Sequence, residues 1–164
     1  MRPRIGRSLG VTLATVMAMG ACATTPATTV AVPNAGSHQS LAIRNCLSGV
    51  IGPDAIAQTT NRTEQPALGT YTLQCGDHRT GITRINNDHP IQADPDDFLG
   101  CVTATIAYGS STAGNPPGTT TFADFYDGPN AISYVVVDDN SHAVLTAYTN
   151  KGARGNDWPG CVGK

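Results

Sequence analysis

Apolar positions along the chain change their spacing several times, and each spacing predicts a different kind of element. An uncharged apolar run fills residues 9–21, from Leu9 to Ala21. Between Ser37 and Val50 the apolar residues Leu41, Ile43, Cys46, Leu47 and Val50 fall near one helical stripe. Ser37 or Ser40 could cap that helix, and Gly49 with Gly52-Pro53 would end it. The polar stretch Gln58 to Pro66 reads as loop. Thr70 to Cys75 alternates, with Tyr71, Leu73 and Cys75 on one face, and predicts a short strand. Ile82, Ile85 and His89 recur at helical spacing, so Gly81 to His89 reads as one or two helical turns. Pro90 to Asp97 reads as loop. Phe98 to Tyr108 alternates through Val102, Ala104, Ile106 and Tyr108, and predicts a second strand. Gly109 to Gly118, rich in Gly, Ser, Asn and Pro, reads as a surface loop.

The clearest supersecondary signal comes late. Ala131 to Asp138 and Ala143 to Thr149 are β-rich runs flanking the polar Asp139-Asn140-Ser141-His142, which predicts an antiparallel hairpin. A helix followed by strands predicts an α+β domain, with an N-terminal helix packed on a small, mostly antiparallel sheet. No internal repeat or second domain is visible.

The N-terminal segment changes the picture of where the domain begins. Arg2, Arg4 and Arg7 precede the apolar run of residues 9–21, which is shorter than the roughly 20 residues a membrane span needs. A basic start, a short apolar centre and small residues at its end describe a secretory signal peptide. Its last four residues, Met19-Gly20-Ala21-Cys22, resemble the lipobox of bacterial lipoproteins. That resemblance implies cleavage before Cys22 and a lipid on its thiol, hence an exported chain anchored to the cell membrane. The alternative is an ordinary signal peptide that contains a cysteine. Residues 22–36, uncharged and rich in Ala, Thr and Pro, read as an extended tether, leaving residues 37–164 as a single domain.

Without Arg2, Arg4 and Arg7, seven basic residues face twelve acidic ones, a net charge of −5. That balance counts against binding nucleic acid through general phosphate neutralisation. With Cys22 assigned to lipid, Cys46, Cys75, Cys101 and Cys161 remain, which in an exported protein predicts two disulfides. Four cysteines allow three pairings, and nothing in the sequence selects one. Zinc is the competing use, though no two of them have knuckle spacing. No cofactor or metal is called for. Asp94-Pro95-Asp96-Asp97 lacks the pattern of a calcium loop and reads as a turn before the strand at Phe98. Trp158, near Cys161, reads as a buried ring beside a disulfide, with surface recognition as the alternative.

Two groups of residues could carry chemistry. The most basic stretch contains His78, Arg79 and Arg84, with His89 just beyond, and could supply proton transfer and anion stabilisation. From the residues alone the favoured reading is a solvated turn whose arginines answer Asp77, Asp88 and Asp94. On the last strand Val144, Thr146 and Tyr148 occupy alternate positions, so the two hydroxyls would lie on one sheet face. Thr and Tyr are also simply good strand residues.

These two groups together carry a further resemblance. Cys75-Gly76, Gly81-Ile82-x-Arg84-Ile85 and His89-Pro90, with the strand Val144-Leu-Thr-Ala-Tyr148-Thr149, resemble the motifs of barnase/EndoU/colicin-type (BECR-fold) ribonuclease toxin domains. The resemblance implies a helical part on a curved antiparallel sheet and metal-independent RNA cleavage by attack of the ribose 2′-OH. It makes His89 the base or acid, Arg84 the group stabilising the phosphorane charge, and Thr146 and Tyr148 phosphate ligands. His78 falls in a region that varies among such domains and is a candidate second proton-transfer group on its residue type alone. Where such domains usually carry His-Ile, this chain has Arg84-Ile85, and Thr149 stands where proline is common. The reading the sequence favours is a membrane-anchored module binding a protein or small ligand. The alternatives are a ribonuclease, with RNA as partner, and an inhibitor of a basic enzyme that uses its acidic surface for steering.

Overall fold

The computed structural model describes residues 35–91 and 93–163, with side chains from Ser40 onward. The segment read as a signal peptide, Cys22 and the part of the expected tether up to residue 34 lie outside the described residues. The domain is α+β, as the hydrophobic pattern implied. Its first element, α1, spans Ala35–Leu47, so it takes in the last residues assigned to the tether and places both candidate caps, Ser37 and Ser40, inside the helix. It ends where expected: Gly49 adopts φ 71°, and the Val50 amide turns back to the Asn45 carbonyl at 2.9 Å. Only part of the predicted stripe is buried. Ile43 and Cys46 face the core, whereas Leu41 and Val50 are exposed.

A two-stranded antiparallel ribbon follows, β1 Ile56–Arg62 and β2 Gly69–Gln74. The stretch Gln58 to Pro66, read as loop, is therefore mostly strand. Its polar Thr and Asn side chains hid the alternation that buries Thr60 and Arg62. The reading of β2 holds, with Tyr71 and Leu73 buried and Cys75 buried just beyond it. The next helix, α2, covers Gly81–Asp88 and buries Ile82 and Ile85.

The largest correction concerns Phe98 to Tyr108. This is not a strand but the central helix, α3, Pro95–Tyr108. Its buried residues Phe98, Leu99, Cys101, Val102, Thr105 and Ile106 recur every three to four positions, the helical period. Asp94-Pro95-Asp96-Asp97 starts it: proline is tolerated at the first helical position, and Asp96 and Asp97 in the first turn face the positive end of the helix dipole.

After α3 the chain forms a four-stranded antiparallel meander in the order β3-β4-β5-β6: Ser110–Ala113, Thr119–Phe125, Ile132–Asp138 and Val144–Thr149. The region Gly109 to Gly118, read as one loop, contains β3, and β4 went unassigned. The late hairpin, β5 with β6, forms as predicted. One face of the sheet packs Phe122, Val135, Val137 and Ala147 into the core, and α3 lies against β4 and β5. α2 packs against β6 beside it, while α1 packs on α3 and against β1 of the two-stranded ribbon.

A short C-terminal helix, α4 (Trp158–Val162), buries Trp158 edge-on against Phe98, with ring centroids 5.0 Å apart. Both expected disulfides form. Cys46–Cys75 ties α1 to the end of β2, and Cys101–Cys161 ties α3 to α4 beside the buried Trp158. All four cysteines are thus used without zinc.

Candidate functional site

The face of the meander opposite α3 is built by the register of its last three strands. Tyr134 of β5 pairs directly with Tyr148 of β6, and Ala123 of β4 pairs with Tyr134. Directly paired residues share a face, so one rung runs Ala123, Tyr134, Tyr148. The two tyrosine rings stack with centroids 5.0 Å apart, and His89 stacks on Tyr148 from the sheet edge at 5.4 Å. Three rings therefore form a continuous ladder. At its inner end Ala123 offers only a methyl group beside the Tyr134 ring.

The position of His89 is set by several independent contacts. It caps α2, and its amide bonds the Ile85 carbonyl at 2.6 Å. Its Nδ1 lies 2.5 Å from the Arg154 carbonyl. A carbonyl only accepts, so Nδ1 carries a proton and donates it here, which leaves Nε2 as the ring nitrogen outside this contact. The segment after β6 wraps this end of α2. The Arg154 guanidinium donates to the Asn87 carbonyl, and Trp158 Nε1 donates to the Pro90 carbonyl at 2.9 Å. Within the segment the Asp157 amide donates to Thr149 Oγ1 at 3.0 Å. Gly155 is required there: it adopts φ 65°, and a Cβ would stand 3.0 Å from His89 Nδ1.

The other proposed site residues divide. Thr146 pairs with Val136 and shares the outer face with Tyr148, as expected. Val144 does not. A register shift between Val136 and Val137 places it opposite buried Val137, and it turns into the core. Arg84 points along its own helix: Nε lies 3.3 Å from Asp88 Oδ2, and Nη1 donates to the Arg79 carbonyl at 3.3 Å. Both partners of that ion pair are substantially exposed, so it contributes at most about 1 kcal/mol. His78 sits exposed in the turn before α2, where its Nε2 accepts from Arg79 Nε at 3.2 Å. In that turn the Asp77 carboxylate accepts the Arg79 amide at 2.7 Å, which lowers its pKa. Gly76 at the start of the turn has φ 66°, and any Cβ would collide with the Thr80 carbonyl. The Cys75-Gly76 pair thus has a steric reason that is independent of chemistry.

The ladder thus joins His89 and Tyr148, with Thr146 on the same face, but its contacts include neither Arg84 nor His78. Tyr134 and Arg154 belong to the site and escaped the sequence reading. Counting outward evenly from the Asp139–His142 turn pairs Tyr148 with Ser133; the one-residue bulge moves Tyr134 opposite it. Burial and the neighbouring Tyr134 hold the Tyr148 phenol above its usual pKa, so it is a neutral hydroxyl at neutral pH. Among the described residues no group of His, Cys, Asp and Glu is arranged to hold a metal ion.

The fold and site define a disulfide-bonded α+β domain with an aromatic ladder on an open sheet face. No family model matches the chain, and no curated protein matches it.

Proposed function

We propose that this is an exported, lipid-anchored envelope module that binds a ring-bearing ligand on the His89–Tyr148–Tyr134 ladder. The observation that carries the binding reading is that the rung beyond Tyr134 continues with the small side chain of Ala123. Neighbouring strands lie about 4.8 Å apart, close to the separation of stacked rings. A flat ring placed over Ala123 would be the next member of the stack, against Tyr134. The absence of Arg84 and His78 from the ladder's contacts favours binding over catalysis, because phosphodiester cleavage needs both an acid and a base about the reacting phosphorus. Export is supported by the two disulfides, which persist in oxidising compartments. The lipid on Cys22 rests on the Met19-Gly20-Ala21-Cys22 motif.

A second reading, a metal-independent ribonuclease of the BECR type, is favoured by one observation. His89 has its Nδ1 proton held by a backbone carbonyl, which leaves Nε2 as the candidate base beside the Tyr148 ring. Incubation of the purified, oxidised chain with labelled RNA in excess EDTA separates the two. The binding reading expects intact RNA with both the parent and His89→Ala. Cleavage by the parent that His89→Ala abolishes, yielding 2′,3′-cyclic phosphate ends, would replace it with the ribonuclease.

A further inference from the structure

A cleft lies away from the ladder, at the end of the sheet where the β5–β6 turn meets the β1–β2 ribbon and the β3–β4 turn. It has a volume of about 730 Å³, enough for a small organic ligand. We propose that this cleft binds a hydroxylated organic cation of the amino-sugar class, through Asp139, His142 and the hydroxyls of Ser111 and Thr120.

Charge supplies the first argument. Asp139 carries the cleft's one carboxylate, and no lysine or arginine lines it among the described residues. An anionic ligand would find no cationic partner there except a protonated His142. Asp139 is also pre-set. Its Oδ1 accepts from Thr120 Oγ1 at 2.7 Å, and its amide donates to the Gly118 carbonyl at 3.0 Å. A carboxylate has two oxygens, so Oδ2 remains to receive an ammonium group.

His142 supplies the second. It is the one non-glycine residue with positive φ in the described chain, at 56°. Histidine tolerates this region better than most residues, yet the conformation still costs energy, and such strain concentrates at ligand sites. Several contacts hold it: its amide donates to the Asp138 carbonyl at 2.9 Å, and its carbonyl accepts the Thr72 amide at 3.0 Å. Its ring stacks on Tyr71, with centroids 5.0 Å apart. The result is a fixed flat platform on the cleft wall, suited to the C–H face of a pyranose ring. Ser111 supplies the third argument. Its Oγ is buried in the wall with no hydrogen-bond partner, a cost that a bound polar group would relieve.

This site is independent of the ladder. His142 precedes β6 and Tyr148 lies near its far end, so the two are separated by roughly 20 Å along the strand.

The test is an NMR titration of the full, oxidised chain with glucosamine, glucose and glucose 6-phosphate as probes. Glucosamine should produce saturable shifts at Ser111, Thr120, Asp139 and His142, with glucose weaker and the phosphate weakest. Asp139→Asn keeps an oxygen for the Thr120 hydroxyl while removing the charge. It should weaken glucosamine roughly tenfold or more and abolish its preference over glucose. His142→Asn keeps a residue that tolerates positive φ and removes the ring, and should weaken both sugars. An unchanged amide spectrum outside the cleft shows that each variant is folded. Absence of saturable shifts at the cleft, glucosamine binding unaffected by Asp139→Asn, or equal binding of the phosphate would each overturn the proposal.

Discussion

Replacing Cys101 and Cys161 together by alanine tests how far the aromatic ladder depends on a distant staple. The bond closes a loop with a sequence separation of 60 residues. In the chain-entropy description, opening a loop of that length costs about 4.3 kcal/mol at 25 °C. The same treatment of Cys46–Cys75, separated by 29 residues, gives about 3.6 kcal/mol. Small domains hold only about 5–15 kcal/mol in total, so either loss is a large share. For a urea slope near 2 kcal/mol/M, the Cys101/Cys161 variant should unfold about 2 M earlier than the parent. Its folded state should also change locally. The bond fixes α4, α4 begins at Trp158, and the segment leading into it holds His89 through the Arg154 carbonyl. The His89 ring resonances should therefore move even in the absence of denaturant. Urea unfolding followed by Trp158 fluorescence, with NMR of the histidine rings, reads both effects. A stability loss under about 1 kcal/mol, or one smaller than that of the Cys46/Cys75 variant, would refute the loop-closure argument. Unmoved His89 resonances would refute the link to the ladder.

Two further predictions concern groups the sequence reading passed over. Arg62 is buried, and its Nη1 donates to the Ile106 and Ala107 carbonyls at the end of α3, at 2.6 and 3.2 Å, while the guanidinium lies 5.2 Å over the Phe122 ring. Arg62→Ala strands those carbonyls and should cost about 2–4 kcal/mol in urea unfolding; Arg62→Lys should recover only part, since an ammonium cannot reproduce the planar fork. The Tyr126 phenol, pushed up to about 12 chiefly by burial and also by its hydrogen bond to Asp157, keeps its proton in the folded state after the unfolded chain has lost it. Its contribution is therefore complete below about pH 10 and declines between about pH 10 and 12. Tyr126→Phe should lose less stability than the parent over that range, and parallel unfolding midpoints would contradict the assignment.

What could be read from the residues depended on how uniquely each pattern named an element. The β5–β6 hairpin and β2 were legible because apolar and β-branched residues alternate over a short run with turn residues beside them. The α3 sequence satisfied two templates at once: Val102, Ala104 and Ile106 alternate, while Phe98, Val102 and Thr105–Ile106 also recur at helical spacing. Its β-prone Val, Thr and Ile favoured the strand, and burial against the sheet overrode that propensity. The Asp-Pro-Asp-Asp start was the cue that resolves the tie. Strands β1 and β4 are rich in threonine, so their alternation is nearly invisible to hydrophobicity. At the candidate site, His89 and Tyr148 were found because they sit in recognisable local motifs. Tyr134 and Arg154 enter only through strand register and a loop that closes over α2, neither of which local spacing encodes.

The central claim is that the open end of the ladder, over Ala123 and beside Tyr134, receives a flat ring. Titrating the oxidised chain with indole while following the aromatic resonances of Tyr134, Tyr148 and His89 tests this most directly. The account predicts saturable shifts largest at Tyr134, lost in Ala123→Tyr, where the introduced ring occupies that position and the amide spectrum of the core stays unchanged. Shifts absent at Tyr134, or persisting undiminished in a folded Ala123→Tyr variant, would contradict it.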